Sequence, residues 1–449
     1  MNGLPKSKWK FAVGAGWIIG ILFLLFLAVC PSYAQETQAP AIPKVLSVEQ
    51  AVQIALQQHP SLRASQFTVQ ASQARVGEAQ SGFFPQLGLS GQYTRSGVEL
   101  PFDNRSVGTT TAGSSNSYGM NLTMTQTLED FGRTAQSTNA AKENLHSSQE
   151  DLNSVRNQLI FNVKQAYNQL LAAKRLVVVN EQTVAQFQKS LDQANGYYEV
   201  GIRTRFDVTS AQVNLSNGQL NLIQARNNLA LARVTLNNAL GISNDSSYDL
   251  IDNLDFSPVS YKLPDMLLQA ETNRPELKSL QAKRQSAEAS LRLSQANFLP
   301  TLSGNAGYGT SGKQFPLSRS WNVGAVLSFN IFSGFLTKQQ VAEARANVEN
   351  FRAQEDNQRL TVRLEVQQAF LNLQQAQEQV RVTELIVRQA QENLELAQGR
   401  YQAGVGTLLD ESNAQVSLTN ARTSNVQALY NYKTAQASLE KAAGITQVP

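Results

Sequence analysis

The chain has 449 residues, with 38 Lys and Arg against 34 Asp and Glu, two His and one Cys, and a formal charge of +4 at neutral pH. One Cys excludes a disulfide framework and a cysteine metal centre, and His59 and His146, far apart and without ligand spacing, argue against a zinc or His-based catalytic centre. Setting aside the three lysines of the first 34 residues leaves 35 basic against 34 acidic residues, so the charge points to no nucleic-acid partner.

The N-terminus reads Lys6, Lys8, Lys10, then an apolar run from Ile18 to Val29, then a small-x-small site at Ser32-Tyr33-Ala34. This is the pattern of a secretory signal peptide over 1–34, expected to be removed after Ala34. A transmembrane anchor is the rival reading, but the apolar core is short for a span and the cleavage signature follows at once. Lipidation at Cys30 is disfavoured because bulky Val29 stands where that processing takes a small residue.

Beyond the leader the sequence is written twice. "QHPSLRASQ" around Pro60 resembles "NRPELKSLQ" around Pro275, and "GFFPQLGLSGQY" resembles "NFLPTLSGNAGY", both at an offset of 215. After the next variable stretch the offset falls to 203, so the insertion between Pro85 and Gly132 is longer than its counterpart between Pro300 and Gly334. Such length differences belong in loops. The repeats predict a first unit over 35–242, a linker over 243–262 and a second unit over 263–449.

After Pro85 and Pro300 the period is two. Leu87, Leu89 and Tyr93 lead to Tyr118, Met120, Leu122 and Met124, with Asn121, Thr123, Thr125 and Thr127 on the other parity. In the second unit Leu302, Ala306 and Tyr308 lead to Trp321, Val323, Ala325, Leu327, Phe329 and Ile331, opposed by Asn322, Gly324, Ser328 and Asn330. These are two β-hairpins with strands of about 9 to 11 residues, the length that crosses an outer membrane at a tilt. A soluble sheet on a core would alternate too, but Trp321, the only Trp after the leader, sits at a strand end where an aromatic girdle belongs. Four strands cannot close a barrel and an open edge does not survive in lipid, so copies must share one. Two copies give eight strands and a filled interior, whereas three give twelve strands and room for a channel.

Long helices follow. Val163, Leu170, Val177, Val184, Leu191 and Tyr198 stand seven apart, as do Val366, Leu373, Val380, Val387, Leu394 and Tyr401, and no proline interrupts either run. Such spacing marks helices packed side by side with slight supercoiling. From Thr134 to Glu199 the helix would run about 100 Å, longer than a globular domain is wide. Helices rich in Gln, Asn, Ser and Thr on their other faces suit walls that meet two neighbours and water elsewhere. Val208, Leu215, Leu222, Leu229 and Leu236 carry a return helix to Gly241.

The turn between each pair of helices is also repeated. "YYEVGIRTRFDVTSAQ" from Tyr197 and "RYQAGVGTLLDESNAQ" from Arg400 align Tyr198, Gly201, Thr204 and Asp207 with Tyr401, Gly404, Thr407 and Asp410. Asp at a helix start caps free amides and favours the dipole.

In this order of elements and its doubling, the chain resembles the TolC-like family of outer-membrane efflux proteins over nearly all of its length after the leader. The resemblance implies a mainly α chain with a small transmembrane β part. Two tandem repeats would form a trimeric long α-helical barrel and a 12-stranded β-barrel, four strands from each chain. It implies an outer-membrane channel of a Gram-negative bacterium, reaching into the periplasm and joined through a periplasmic adaptor to an inner-membrane transporter, exporting small molecules or proteins. Adaptor docking maps onto Gly201, Ile202, Thr204 and Phe206 and onto Gly404, Val405, Thr407 and Leu408. A channel gate maps onto Asp207, Asp410, Tyr401 and Arg203, the two Asp serving either as caps alone or as caps and gate. Two positions depart from the family pattern: Gly406 stands where some members place a latching Arg, and Asn413 where they place a second Asp. Arg203 occupies the place in the first turn that Gly406 occupies in the second. No nucleophile motif, phosphate loop or metal spacing suggests an enzyme or a cofactor. The alternative function is a soluble periplasmic coiled-coil adaptor, which would not need four alternating strands.

Overall fold

A computed structural model describes residues 43–97, 114–242 and 248–445. Residues 1–42, among them the expected leader and Cys30, as well as the centre of the first inter-strand loop and part of the linker, lie outside the described residues.

In chain order the elements are β1 (Val45–Leu46), α1 (Val48–Gln58), α2 (Pro60–Gln80), β2 (Gln86–Gly97), β3 (Ser114–Glu129), α3 (Arg133–Glu199) and α4 (Arg205–Leu240). They continue with β4 (Asp249–Leu250), α5 (Leu263–Asn273), α6 (Pro275–Ala296), β5 (Thr301–Gly312), β6 (Ser318–Ser328), α7 (Leu336–Gln402) and α8 (Leu408–Ala442). The chain is mostly helical with one four-stranded sheet, as expected. Helices α3 and α7 are each 67 residues long, about 100 Å at the helical rise, and start and stop 203 residues apart.

Packing sets four helices side by side near each end of the rod, with α3 second and α7 last in both rows. Next to the sheet, α2, α3, α6 and α7 lie side by side, and at the far end the order is α4, α3, α8, α7. The sheet order β2-β3-β5-β6 matches, since each strand leads directly into or out of the helix below it. The strands run 12, 16, 12 and 11 residues, three of them beyond the expected length. β3 pairs with β5, so the two hairpins form one antiparallel sheet rather than separate ribbons.

The main core lies at mid-height, where the chain is thickest. Leu159, Ile160, Val163, Tyr167, Leu170 and Leu171 of α3 are buried against α1, α4 and the helices of the second repeat. The Tyr167 hydroxyl donates to the Leu46 carbonyl at 3.0 Å and the Ile251 carbonyl at 2.8 Å, tying α3 to the parallel β1–β4 bridge. Each return helix ends at a left-handed glycine, Gly241 or Gly444, packed on the chain before Pro60 or Pro275; an added Cβ would meet His59 Cα at 2.9 Å or Asn273 Cβ at 3.0 Å.

Toward the tips the helices pair through small residues. Ala211, Gly218, Ala225 and Ala232 recur every seven residues on α4 and are buried, as are Ala414, Ala421 and Ala428 on α8. Small side chains let helix axes approach closely. Gly218 lies under Phe187, whose Cδ2 is 3.0 Å from where a Cβ would stand. At offset 203 the pair becomes Ala421 and Ala390, both buried in one cluster, so a large-small contact in one hairpin is small-small in the other.

Candidate functional site

Two regions carry residues whose exposure the fold itself does not explain: the sheet and the helical tips.

On the sheet, register puts nearly all apolar positions on one face, Val326, opposite Ser303, being the exception. Leu89, Leu122, Tyr308 and Trp321 form one cross-strand row, and Leu87, Met124, Ala306 and Val323 another. The opposite face carries Ser90, Asn121, Thr123, Asn305 and Asn322, with glycines between them. Among the described residues nothing covers the apolar face; Leu87, Leu89, Trp321, Val323 and Leu327 are exposed. The outer strands β2 and β6 are each hydrogen-bonded on one side only among the described residues. In lipid every backbone polar group must be paired and an apolar face is at no disadvantage, so this sheet is part of a barrel wall.

At the tips each long helix ends in a left-handed glycine, Gly201 at φ 75° and Gly404 at φ 76°. The Ile202 amide donates to Tyr197 O at 2.9 Å and the Val405 amide to Arg400 O at 3.0 Å, so the last carbonyls of both helices are satisfied. The return helices then start at Thr204 and Thr407. Asp207 accepts from the Thr204 amide at 3.3 Å, and Asp410 from the Thr407 amide at 3.0 Å and its hydroxyl at 2.8 Å. In the second tip the Asp410 amide also donates back to the Thr407 hydroxyl, closing a capping box. The Thr407 amide, then its hydroxyl, hold the Asp410 carboxyl below the usual carboxylate range. Both Asp residues are therefore caps.

The two tips are joined to each other through Arg203 and Tyr401. Arg203 Nη2 donates to Gly406 O at 3.0 Å, and its guanidinium lies 4.9 Å from the centroid of the Tyr401 ring. Tyr197 packs edge-on against the same ring at 5.8 Å. Tyr401, assigned from its position to the gate, is only 1% exposed, so it lies between the hairpins and not on an open surface, whereas its repeat counterpart Tyr198 is 46% exposed. Burial pushes the Tyr401 phenol up, with Arg203 opposing, and the hydroxyl has no hydrogen-bond partner among the described residues. Gly406 leaves no room for a side chain: a Cβ would stand 3.0 Å from the Tyr401 amide nitrogen and from Arg400 Cβ.

Of the residues mapped to docking, Gly201, Ile202, Thr204, Phe206, Gly404, Val405 and Thr407 are exposed. Leu408 is a correction. At 3% exposure it packs with Ala194, Ala211 and Tyr401, and the exposed apolar residue is Leu409 at 67%, the true counterpart of Phe206 at offset 203. Asn413 is exposed.

Sequence reasoning also missed a buried polar contact beside the tips. Glu411 is buried, accepts from Ser190 Oγ at 3.0 Å through one carboxylate oxygen and has no partner for the other among the described residues. Farther along the same α3–α8 seam, Thr183 meets Thr419 at 3.0 Å and Arg422 donates to Gln182 at 2.9 Å. The signal was present in the heptad phase, which turns position 411 toward α3, but an acid beside Asp410 reads first as part of the helix start.

A rod of side-by-side helices bearing a sheet with one apolar face and two free edges defines the subunit of a membrane-spanning channel. Comparison with known proteins agrees. The family model described as "Outer membrane efflux protein" matches residues 51–242 and 266–445, and the chain belongs to that family. It is 26% identical over 407 residues to the outer membrane protein TolC of Escherichia coli K12, covering 86% of this chain and 80% of that one. To the protein CyaE of Bordetella pertussis it is 25% identical over 410 residues, 89% and 84% of the two chains. Its fold superposes on the crystal structure of the Campylobacter jejuni CmeC outer membrane channel with a TM-score of 0.78 at 19% identity, covering 100% of this chain and 95% of that one. The protein is thus an efflux channel of the outer membrane, built from a helical part and a four-stranded contribution to a β-barrel.

Proposed function

We propose that three copies of this chain, cleaved after Ala34 and each built of repeats 35–242 and 263–449, close into one duct serving a tripartite export system. The observation that carries it is that sheet and helices have free edges on the same two sides. Strand β6 of one copy runs antiparallel to β2 of the next, because four strands preserve the up-down alternation, so a ring closes without a mismatched seam. Twelve strands leave a lumen, where eight would fill it. Apolar residues exposed along the outer helices, Val213, Leu220, Ile223 and Val234 of α4 and Leu364, Leu371 and Val382 of α7, would be covered by the same closure. No catalytic step is required of such a duct, and small molecules or proteins passing through it would be chosen by the transporter attached.

The tips would then do two jobs. Exposed Ile202, Phe206, Val405 and Leu409, with the surrounding Gly201, Thr204, Gly404 and Thr407, would receive a periplasmic adaptor that links the duct to an inner-membrane transporter. Arg203 and Tyr401 would hold the tips of each copy together, while Asp207 and Asp410, repeated by threefold symmetry, would ring the narrowed mouth. The docking reading is tested by changing Val405 and Leu409 to Asp. Trimers should form and insert into the outer membrane while pump-dependent export is lost. Export at the wild-type level would sink tip docking, and failure to insert would make the tips structural.

A further inference from the structure

The four strands hold three charged residues, and they are sorted by end. Glu129 lies at the helical end, while Arg95 and Arg319 lie at the opposite, outer end. Between them the wall is uncharged, as a lipid-facing barrel requires. Both arginines share the parity of the apolar face: Arg95 follows Tyr93 by two residues on β2, and Arg319 precedes Trp321 by two on β6. Each is therefore the first outward-facing residue beyond an interfacial aromatic, at the depth of headgroups. Both are exposed, and among the described residues neither makes an ion pair or a hydrogen bond.

They also lie on the two edge strands, which the closed ring makes neighbours. Gln86 at the start of β2 shares a cross-strand row with Gly324, so β6 continues four residues farther toward the helices, to Ser328. Strands tilted in a barrel step along one another in this way. Arg95, two residues from the outer end of β2, and Arg319, one residue from the outer end of β6, are thereby brought level.

We propose that at each seam Arg319 of one copy and Arg95 of the next form a site for a phosphate on an outer-leaflet glycolipid headgroup. The planar guanidinium matches phosphate through paired N–H donors, and two forks at headgroup depth over an apolar wall select a phosphate that carries acyl chains. The proposal rests on the three-copy ring.

The test is native mass spectrometry of the full-length protein in detergent, with bisphosphorylated lipid A or the same lipid after dephosphorylation. Wild-type trimers should retain up to three phosphorylated lipids and shed the dephosphorylated form. Arg95→Gln and Arg319→Gln should each weaken retention roughly tenfold, the loss expected for one charge-assisted contact, and the double variant should add little because either change already breaks the pair. Unchanged retention by trimers of both single variants, or equal retention of the dephosphorylated lipid, would overturn the proposal. Displacement of the lipid by millimolar inorganic phosphate would also overturn it, assigning the arginines to free anions. The spectra report the oligomer mass separately, so a wild-type protein without trimers counts against the ring itself.

Discussion

Replacing Arg203 with Ala should loosen the joined tips of each subunit. The substitution removes a hydrogen bond of 3.0 Å to the Gly406 carbonyl and a guanidinium 4.9 Å from the Tyr401 ring. A charged donor to a carbonyl contributes about 1.5–3 kcal/mol and a cation–π contact about 0.5–2 kcal/mol, the lower ends applying where water has access. For a half-buried Arg203 the loss is about 2 kcal/mol, or roughly 30-fold in the ratio of joined to separated tips. Single-channel recording in planar bilayers reads that ratio as longer or more frequent high-conductance dwells. Two controls sharpen the reasoning. Arg203→Lys keeps the charge but not the planar stack, and should fall between wild type and Arg203→Ala. Tyr401→Phe keeps the ring and removes a buried hydroxyl that has no partner among the described residues, so it should leave the dwell times near wild type. Wild-type conductance and dwell times in Arg203→Ala, from protein shown to be trimeric, would refute a locking role for this contact.

Three further outcomes are expected. Asp410→Ala should raise single-channel conductance or weaken block by multivalent cations, since the ring of carboxylates proposed for the mouth would attract them; unchanged block would leave Asp410 a helix cap only. Because the Asp410 carboxyl is held below its ordinary value near 3.9, the cap is intact above that pH and fails as pH falls through the lower folded value, so wild-type and Asp410→Asn tips should differ in protease sensitivity at neutral pH and converge in acid. In the α3–α4 seam, Phe187→Ala alone should destabilise the hairpin by about 3 kcal/mol, and adding Gly218→Ala should recover part of it by restoring contact and helix propensity, as thermal unfolding followed by circular dichroism would show; strict additivity would mean that the two positions do not share one space.

The long helices and the strands were legible because both are periodic over many residues. The six heptad positions from Val163 to Tyr198 and the alternation around Trp321 repeat one signal until chance is excluded. Features that depend on a single contact were not legible. Strands β1 and β4 have two residues each, too short for a period, and are tied to α3 by Tyr167, which meets the Leu46 carbonyl of β1 and the Ile251 carbonyl just after β4. Leu408 and Leu409 are chemically alike, and only the phase of α8 against Ala194 and Ala211 decides which is buried. Tyr198 and Tyr401 occupy the same place in the repeat, yet only the second is covered, because Arg203 and Tyr197 of the other tip close over it. Internal symmetry of sequence cannot foretell which hairpin lies against the other.

The matched 67 residues of α3 and α7 make the rod a pair of rulers that must be cut to the same length. Deleting one residue from α3 alone would draw its tip back by about 1.5 Å and rotate everything below the cut by roughly 100°, turning the buried stripe off its neighbours and carrying Arg203 away from Gly406. Inserting seven residues at one height into α3, α4, α7 and α8 would instead lengthen the rod by about 10 Å and keep every seam in phase. The inter-strand loops carry no such constraint, and they already differ in length between the two halves of the chain. Variation in reach across the periplasm is therefore confined to coordinated steps of whole heptads, while the face turned to the outside is free to change one residue at a time.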